Sequence, residues 1–378
     1  MRIPRKKGEP WQDPHNSPHC TQCVINRDNF PYERVIDPPF RRLVTDASPT
    51  ETYHPQPEYI KTVLHWGQRK LLMSEIEFLT LVGEQDLTGA TVVYAGAAPG
   101  HHVPCLLRLF PNVHYILLDP TPFSQCLVEL ERRPNSNVML MNTYLTDELA
   151  GELSKRYDKI LFISDIRVDG HSEESIQKDM ADQARWHELM KSTRSILKFR
   201  LPWYILETTE YLDGDLHLPV WGPQTTTESR LITKKGHPLA RHTYDNDRYN
   251  NQMFYHRCYT RPALYPHAIE GVPGLDHCYD CTAEVDILRR YLAEFGPRMR
   301  DPAATNRAIA DLSNEITRNM PGGRTLGTAV GTWRARANLQ KPSHTPPPEE
   351  PAAKRRRTDD TTQAEDTSEQ PDQTHIPS

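Results

Sequence analysis

The chain has 378 residues, 37% of them hydrophobic, and a formal net charge of −5, enough for one large domain or two small ones with part of the chain outside any core. No run of about 18 apolar residues occurs, which argues against a membrane-crossing helix, and Met1-Arg2-Ile3-Pro4-Arg5-Lys6-Lys7 lacks the apolar stretch of a secretory signal. The charge does not mark a general nucleic-acid binder, so RNA would need a local basic patch; seven cysteines, an odd number, fit a reducing compartment better than a disulfide scaffold.

Residues 1–45 are Pro-rich and read as an irregular extension. Residues 46–265 carry the globular pattern. Leu72, Ile76, Leu79 and Val82 recur at helical spacing, with Gly83 placed to end the helix. Thr91 to Ala95 reads as a strand, Gly96 to Gly100 as a tight loop, His102 to Phe110 as a helix and His114 to Asp119 as the next strand. Lys159 to Asp165, Ser195 to Trp203 and Ser229 to Lys234 read as further strands. Strands alternating with helices predict an α/β, Rossmann-like fold with a mostly parallel, doubly wound sheet. Residues 266–335 read as a helical C-terminal segment packed on that domain. It holds a helix from Thr282, as N-cap, to Phe295, and another from Asp301 to Met320. Residues 336–378 read as a disordered tail. From Asn338 to Ser378 there are five Lys/Arg and eight Asp/Glu, and within them Lys354-Arg355-Arg356-Arg357 follows Pro351-Ala352-Ala353. A basic cluster in such a setting suits an importin groove and predicts a nuclear protein.

Ala95-Gly96-Ala97-Ala98-Pro99-Gly100 joins a strand to a helix, and its small residues let backbone approach a ligand closely. Asp119, at the end of the following strand, is placed to accept hydrogen bonds from ribose hydroxyls. This pair supports an adenosine cofactor, NAD included. A dinucleotide fingerprint, though, wants a third glycine where His101-His102-Val103 stands, so the loop suits S-adenosylmethionine better.

Four charged residues fall on or beside the apolar elements: Lys70, Asp165, Lys198 and Glu228. The set fits methyl transfer to a ribose 2′-hydroxyl, a weak acid that must lose its proton as it attacks. A lysine can take that proton only where its surroundings favour the neutral amine, as burial and a second cation do. Two carboxylates would orient and balance the two lysines.

In order along the chain, Gly67-Gln68-Arg69-Lys70-Leu71-Leu72, Val92 to His102, Ile163-Ser164-Asp165-Ile166-Arg167, Leu197-Lys198-Phe199-Arg200 and Glu228-Ser229-Arg230-Leu231 resemble the motifs of the FtsJ-like 2′-O-methyltransferases. The closer likeness is to the poxvirus cap-specific mRNA 2′-O-methyltransferases, which double as the poly(A) polymerase small subunit, and to their kinetoplastid relatives. It spans roughly Tyr53 to Tyr255. The resemblance implies a cap 2′-O-methyltransferase acting on capped mRNA or a spliced-leader-type RNA, with the second nucleotide as a candidate target and the capping or polyadenylation machinery as a candidate partner. It implies a cofactor site lined by Gln68, Leu71, Tyr94, Gly96, Ala98, Pro99, Gly100, His102, Asp119 and Leu145, with Thr121 where the family has an arginine. It implies that Arg167, Lys198, Arg200 and Thr226 hold RNA, and that Tyr53 and Trp203 sandwich the cationic N7-methylguanine. Ile205 and Asn250 stand where the family has two carboxylates on the guanine edge, a departure for which Asp245 or Asp247 could compensate. Alternative readings are a non-catalytic RNA-binding or poly(A) polymerase accessory subunit on the same fold, an NAD-linked oxidoreductase and a guanine-N7 methyltransferase.

His19-Cys20-Thr21-Gln22-Cys23 and His277-Cys278-Tyr279-Asp280-Cys281 give two Cys-x-x-Cys pairs. Cys20, Cys23, Cys278 and Cys281 are therefore candidate ligands of a structural zinc if the two ends of the chain meet, or else two unrelated pairs.

Overall fold

Strand register carries the three motif ends to one edge. In the computed structural model, which describes residues 39–53, 66–168, 172–203, 206–222, 226–236, 238–261, 263, 265–272, 275 and 277–320, strand β2 (Thr91–Ala95) pairs in parallel with β3 (His114–Leu118) and with β5 (Ile160–Ser164). Ala95 lies level with Leu118 on one side and Ser164 on the other. Gly96, Asp119 and Asp165 therefore leave the sheet together. β4 (Val138–Met141) extends the parallel sheet beyond β3, and β6 (Arg194–Phe199) extends it beyond β5. The chain runs outward from β2 through β3 and β4, then returns to β5 on the other side of β2. The β2–β5 gap is the switch point of a doubly wound sheet, the place where such folds bind ligands.

Three antiparallel strands complete the sheet beside β6. They are β1 (Leu43–Val44), β8 (Gly214–His217) and β9 (Ser229–Thr233), and the full order is β1-β8-β9-β6-β5-β2-β3-β4. β7 (Thr208–Leu212) and β10 (Arg241–Asp245) form a separate antiparallel pair. The fold is thus α/β with a mostly parallel, doubly wound, Rossmann-like core, as expected. Every residue of β2 and of β5 is buried, because helices cover both faces, and this is why their sequences are continuous apolar runs.

Helix α1 (Gly67–Val82) ends at Gly83, whose φ of +85° needs a glycine and whose N–H returns to Leu79 O at 3.2 Å. After it come α2 (Glu84–Leu87), α3 (Val103–Leu109), α4 (Gln125–Glu131), α5 (Asp147–Arg156), α6 (Glu173–Leu189) and α7 (Asn246–Tyr255), which runs into a π-helical turn over His256–Thr260. α8 (Tyr279–Phe295) and α9 (Pro302–Asn319) follow. Thr282 is not the N-cap expected of α8. The N-cap is Cys278, four residues earlier, and the Thr282 hydroxyl donates instead to Tyr265 O at 2.7 Å. The strand expected over Ser195 to Trp203 stops at Phe199. Asp301 caps α9 through the N–H groups of Ala303 and Ala304. The basic cluster at Lys354–Arg357 lies outside the described residues.

Buried ion pairs fasten α1 to its surroundings. The Arg69 guanidinium donates to both oxygens of Glu284 on α8, at 2.7 and 2.5 Å, and Trp221 Nε1 and Ser313 Oγ donate to the same carboxylate. Arg42 donates to Glu77 Oε2 at 2.7 Å, to Leu218 O and to the Tyr279 hydroxyl, while His217 Nδ1 lies 3.2 Å from Glu77 Oε1. Burial alone would raise the Glu77 carboxyl. The Arg42 charge first, and His217 next, overcome it and pull it down to about 2 from an ordinary 4.5. A depressed carboxylate stabilises the fold fully above its unfolded pKa and loses that contribution as pH falls towards its folded one. Urea denaturation is therefore expected to show roughly 3 kcal/mol of Glu77-dependent stability vanishing between about pH 4.5 and about pH 2. Glu77→Gln is expected to be less stable near neutrality and to have a flatter acid profile over that window.

Candidate functional site

Three of the charged residues meet because of the same register. Ser164 lies level with Leu197 and the next residues along, Asp165 and Lys198, leave β5 and continue β6 side by side. Lys198 pairs with Arg230 across the antiparallel β6–β9 ladder, and directly opposed residues share a face. Glu228 precedes β9 by one residue, two before Arg230 and hence on the same side. Lys70 reaches in from the first turn of α1. The Lys198 Nζ lies 3.2 Å from Asp165 Oδ1 and 3.7 Å from Glu228 Oε2. Lys70 Nζ donates to Glu228 Oε1 at 2.8 Å. The four residues picked from the sequence are thus one cluster.

Sequence reasoning missed its fifth member. Arg230 Nη2 donates to Asp165 Oδ1 at 2.6 Å and lies 3.2 Å from Glu228 Oε1. Its two-residue offset from Glu228 was the available signal. Three cations and two carboxylates are held here, all largely out of water. Burial would raise both acids. For Asp165 the charges of Lys198, Arg230 and Lys70 reverse that and hold it far below the usual carboxylate range. For Glu228 Lys70 leads, then Lys198 and Arg230. Burial disfavours the Arg230 guanidinium, but Asp165 and Glu228 outweigh it and raise its pKa.

Backbone supports fix the cluster. β5 has ended where Lys198 sits, so its neighbour there is a side chain. Gln183 of α6 accepts from Lys198 N at 3.0 Å and donates to Lys198 O at 3.2 Å, replacing the missing strand. Thr226 Oγ1 accepts from Glu228 N at 2.9 Å. Thr226 therefore shapes the turn that presents Glu228.

The glycine loop lies beside this cluster. Gly96 has φ +80° and its N–H donates to Leu118 O at 2.9 Å. A Cβ there would stand 3.0 Å from the backbone of Asp165 and Ile166, so only glycine lets the loop pass so close to the charged edge. Gly100 has φ +68°, and a Cβ there would meet Leu127 at 2.6 Å. Asp119 braces the loop, accepting from Ala98 N at 3.0 Å and from Thr121 N at 2.8 Å, with lone pairs left for a ribose. Thr121 thus contributes backbone where the family arginine would offer a side chain. His102 is held from α1, its Nδ1 2.8 Å from Gln68 Oε1 and its Nε2 2.8 Å from Glu75 Oε1. Leu71, Tyr94 and the Ala98–Pro99 pair lie on these same elements, and Leu145 is buried beyond the end of β4. Small-residue cradle and strand-end acid together fit an adenosine cofactor.

Tyr53 and Trp203 also come together, their ring centroids 4.8 Å apart at 58°. The rings lie against each other, tilted, not as facing plates. Phe254, which the sequence did not single out, packs edge-on to Tyr53 at 5.3 Å. Asparagines of α7 hold the two segments. Asn251 Oδ1 accepts from Tyr53 N, Asn250 Nδ2 donates to Pro202 O at 3.1 Å and Asn246 Nδ2 donates to Leu206 O at 2.9 Å. Asn250 Oδ1 is buried and without a partner among the described residues. Asp245 is engaged as the N-cap of α7, accepting from Arg248 N at 2.9 Å. Ile205 lies outside the described residues. Arg167 stands 3.5 Å from Asp179 and Arg200 pairs with Glu173; Arg167 also lies close enough to feel the charges of Glu228 and Asp165.

The zinc expectation finds no support. Cys20 and Cys23 lie outside the described residues, and Cys278 and Cys281 are buried at the start of α8. Among the described residues no group of three or more His, Cys, Asp and Glu is placed to hold a metal ion.

Residues 37–292 match the family described as the poly A polymerase regulatory subunit. Two curated relatives, each named cap-specific mRNA (nucleoside-2′-O-)-methyltransferase, from Myxoma virus strains Lausanne and Uriarra, are 26% identical over 212 residues, covering 52% of this chain. The chain spans 61% of the length of those relatives. Among solved structures, bluetongue virus VP4, described as a multifunctional RNA-capping production line, aligns with a TM-score of 0.37 and 14% identity over 58% of this chain and 38% of that one.

Asp165 is shared by Lys198 and Arg230, so Asp165→Asn leaves two buried cations short of a counter-charge. Chemical denaturation is expected to show a loss of about 3 kcal/mol; an unchanged midpoint would mean that the cluster is not formed in solution.

Proposed function

The chain belongs to the poly A polymerase regulatory subunit family, and from that premise we propose that it is a cap-specific mRNA 2′-O-ribose methyltransferase. The observation that carries this reading is the run of contacts Lys70–Glu228–Arg230–Asp165–Lys198 beside the glycine loop. S-adenosylmethionine supplies an activated methyl group to an attacking nucleophile. Gln68, Leu71, Tyr94, Gly96, Ala98, Pro99, Gly100, His102, Asp119 and Leu145 are the residues we assign to holding it.

The remaining chemistry belongs to this chain's own side chains. Lys198 Nζ acts as the neutral amine, its own ammonium proton having first left to solvent, and takes the proton from the ribose 2′-hydroxyl as the oxygen attacks. Asp165 and Glu228 aim that amine, each within 4 Å of it. The charges around them hold both carboxylates low, Lys198, Arg230 and Lys70 for Asp165 and Lys70, Lys198 and Arg230 for Glu228; Lys70 and Arg230 remain to do so when Lys198 is neutral. Methyl transfer to an oxygen needs little beyond alignment and a proton acceptor, so a rigid cluster fixed by strand register is the relevant device.

At the cap, the Tyr53–Trp203 pair is our candidate for the N7-methylguanine slot, with Asn250 as the edge contact. The rings must separate to admit a base between them. Asn250 and Ile205 offer no carboxylate, so selection of the methylated base would rest on the aromatic faces. Arg167, Arg200 and Thr226 are assigned to the RNA backbone. We also assign the protein to the nucleus, through importin recognition of Lys354–Arg357, and the second transcribed nucleotide as its target. Alanine at all four basic positions is expected to move a fluorescent fusion out of the nucleus.

The family description favours one second reading, a poly(A) polymerase accessory subunit without transfer activity. Radiolabelled methyl transfer to a defined capped transcript separates the two, with nucleotide mapping of the product. Activity is expected in the unsubstituted chain and a loss of at least about 100-fold in Lys198→Ala. Tight binding of capped RNA with no transfer would establish the accessory role, and full activity in Lys198→Ala would remove Lys198 as the base.

A further inference from the structure

Helix α6 lies against the place where β5 and β6 part. The two strands pair in parallel as far as Ser164 and Leu197. Beyond that point Asp165 N donates to Ala95 O of β2, and Lys198 has lost its strand neighbour. Asp179, Gln183 and His187 stand at intervals of four on α6, along one face of the helix, and all three are buried. Asp179 Oδ2 accepts from Val168 N at 3.1 Å and so holds the chain three residues after Asp165. Gln183 Oε1 accepts from Lys198 N at 3.0 Å, and Gln183 Nε2 donates to Lys198 O at 3.2 Å. His187 Nδ1 lies 2.5 Å from Ser195 Oγ, three residues back along β6.

The Gln183 contact differs from the other two in what it holds. Along an antiparallel ladder, bonded pairs alternate with unbonded ones, because the N–H and C=O of one strand residue leave on the same side. With both turned towards Gln183, Lys198 takes an unbonded position opposite Arg230, and its main chain is held by that one side chain among the described residues. A glutamine amide offers a donor and an acceptor side by side, as a peptide does. Burying an amide in mid-helix is costly unless both ends are matched. Here both are matched, to the residue whose Nζ stands 3.2 Å from Asp165 Oδ1 and 3.7 Å from Glu228 Oε2. A water in that place would satisfy the same groups and leave Lys198 free to shift.

We propose that Gln183 is a positioning residue for methyl transfer: its amide sets the main chain of Lys198, and so the point from which Nζ meets the ribose 2′-hydroxyl. This inference rests on the methyltransferase reading, with Lys198 as the base. Gln183 is 0% exposed and meets neither cofactor nor RNA, so its whole effect on the reaction passes through Lys198. A displacement of about 1 Å at a reacting group costs on the order of 100-fold in rate.

Steady-state methyl transfer to a defined capped RNA tests it in full-length unsubstituted chain, Gln183→Met, Lys198→Ala and the double variant. In Gln183→Met, kcat is expected to fall at least about tenfold, with KM for the RNA and Kd for S-adenosylhomocysteine within about twofold of the unsubstituted values. In the Lys198→Ala background the same change is expected to alter the residual rate by less than about twofold, because the group it positions is gone. Full kcat in Gln183→Met overturns the inference. So does a loss that multiplies with that of Lys198→Ala, or one that comes with weakened binding of cofactor or RNA, since either makes Gln183 a packing residue only. Should Gln183→Met not fold, Gln183→Asn, whose amide stops one methylene short, is read by the same criteria. If the unsubstituted chain transfers no methyl group, or Lys198→Ala is fully active, the reading of the site falls and this inference with it; every other failure falls on Gln183 alone.

Discussion

Two carboxylates hold three cations out of water where β5 and β6 end and β9 begins, and most of the surrounding structure is arranged to make that tolerable. Taking an ion from water into a protein costs several kcal/mol unless good geometry returns it. Here the geometry comes from backbone register, the least flexible part of the molecule. Lys198 and Arg230 are opposed across an antiparallel ladder, and Asp165 follows the last parallel pair, Ser164 with Leu197. No side chain has to reach far. The supports follow from the same need: Gln183 replaces the strand that ends beside Lys198, and Thr226 sets the turn before Glu228. Deleting either acid would strand cations, which is why the cluster is better regarded as one unit than as separate residues.

How much of this could be read in the sequence depended on whether a feature is local. The β2 strand, its glycine loop and the acid after β3 are contiguous, and their pattern of apolar run, small residues and charge survives into the fold unchanged. The four charged residues were legible because each interrupts or borders an apolar element. Arg230 was not, since an arginine in a short strand resembles any solvent-facing residue until the partner strand is known. Gln183 had no signal at all, because its role exists only where β5 stops one residue before Lys198 needs a neighbour. Thr282 misled for a related reason. It is a good capping residue, but burial of Tyr279 and Cys281 against the rest of the chain draws the helix start back to Cys278, and tertiary packing overrides local preference.

The aromatic pair illustrates a third case. Tyr53 and Trp203 were legible as residues, yet their relation depends on α7. That helix presents Asn246, Asn250 and Asn251 to two incoming segments and holds both through side-chain amides bonded to backbone. Amides can both donate and accept, so the helix can grip chain segments that have no strand or helix of their own. The rings carried by those segments then rest against each other and against Phe254. Position is set by the polar face, and contact by the apolar one.

Helix α1 unites these parts. A helix at the surface of a sheet ordinarily shows one apolar stripe and a solvated remainder. This one buries Arg69, Lys70, Ser74, Glu75 and Glu77 along with its apolar side chains, which is unusual for charged residues. Each charge is accounted for by direction. Gln68 and Glu75 are seven residues apart, about two turns, and together they grip His102 at the head of α3. Arg69 faces α8 and α9, Lys70 faces the cluster, and Glu77 faces β8 and Arg42. The helix is therefore located on several sides by pairings that no rotation or one-residue slip could preserve, since a slip of one residue turns every partner by about 100°. Apolar packing alone would tolerate such a slip far better. The charges on α1 thus fix the depth and rotation at which Lys70 meets Glu228 and at which Gln68 meets the glycine loop, and through this one helix the cofactor cradle and the charge cluster are held in a single register.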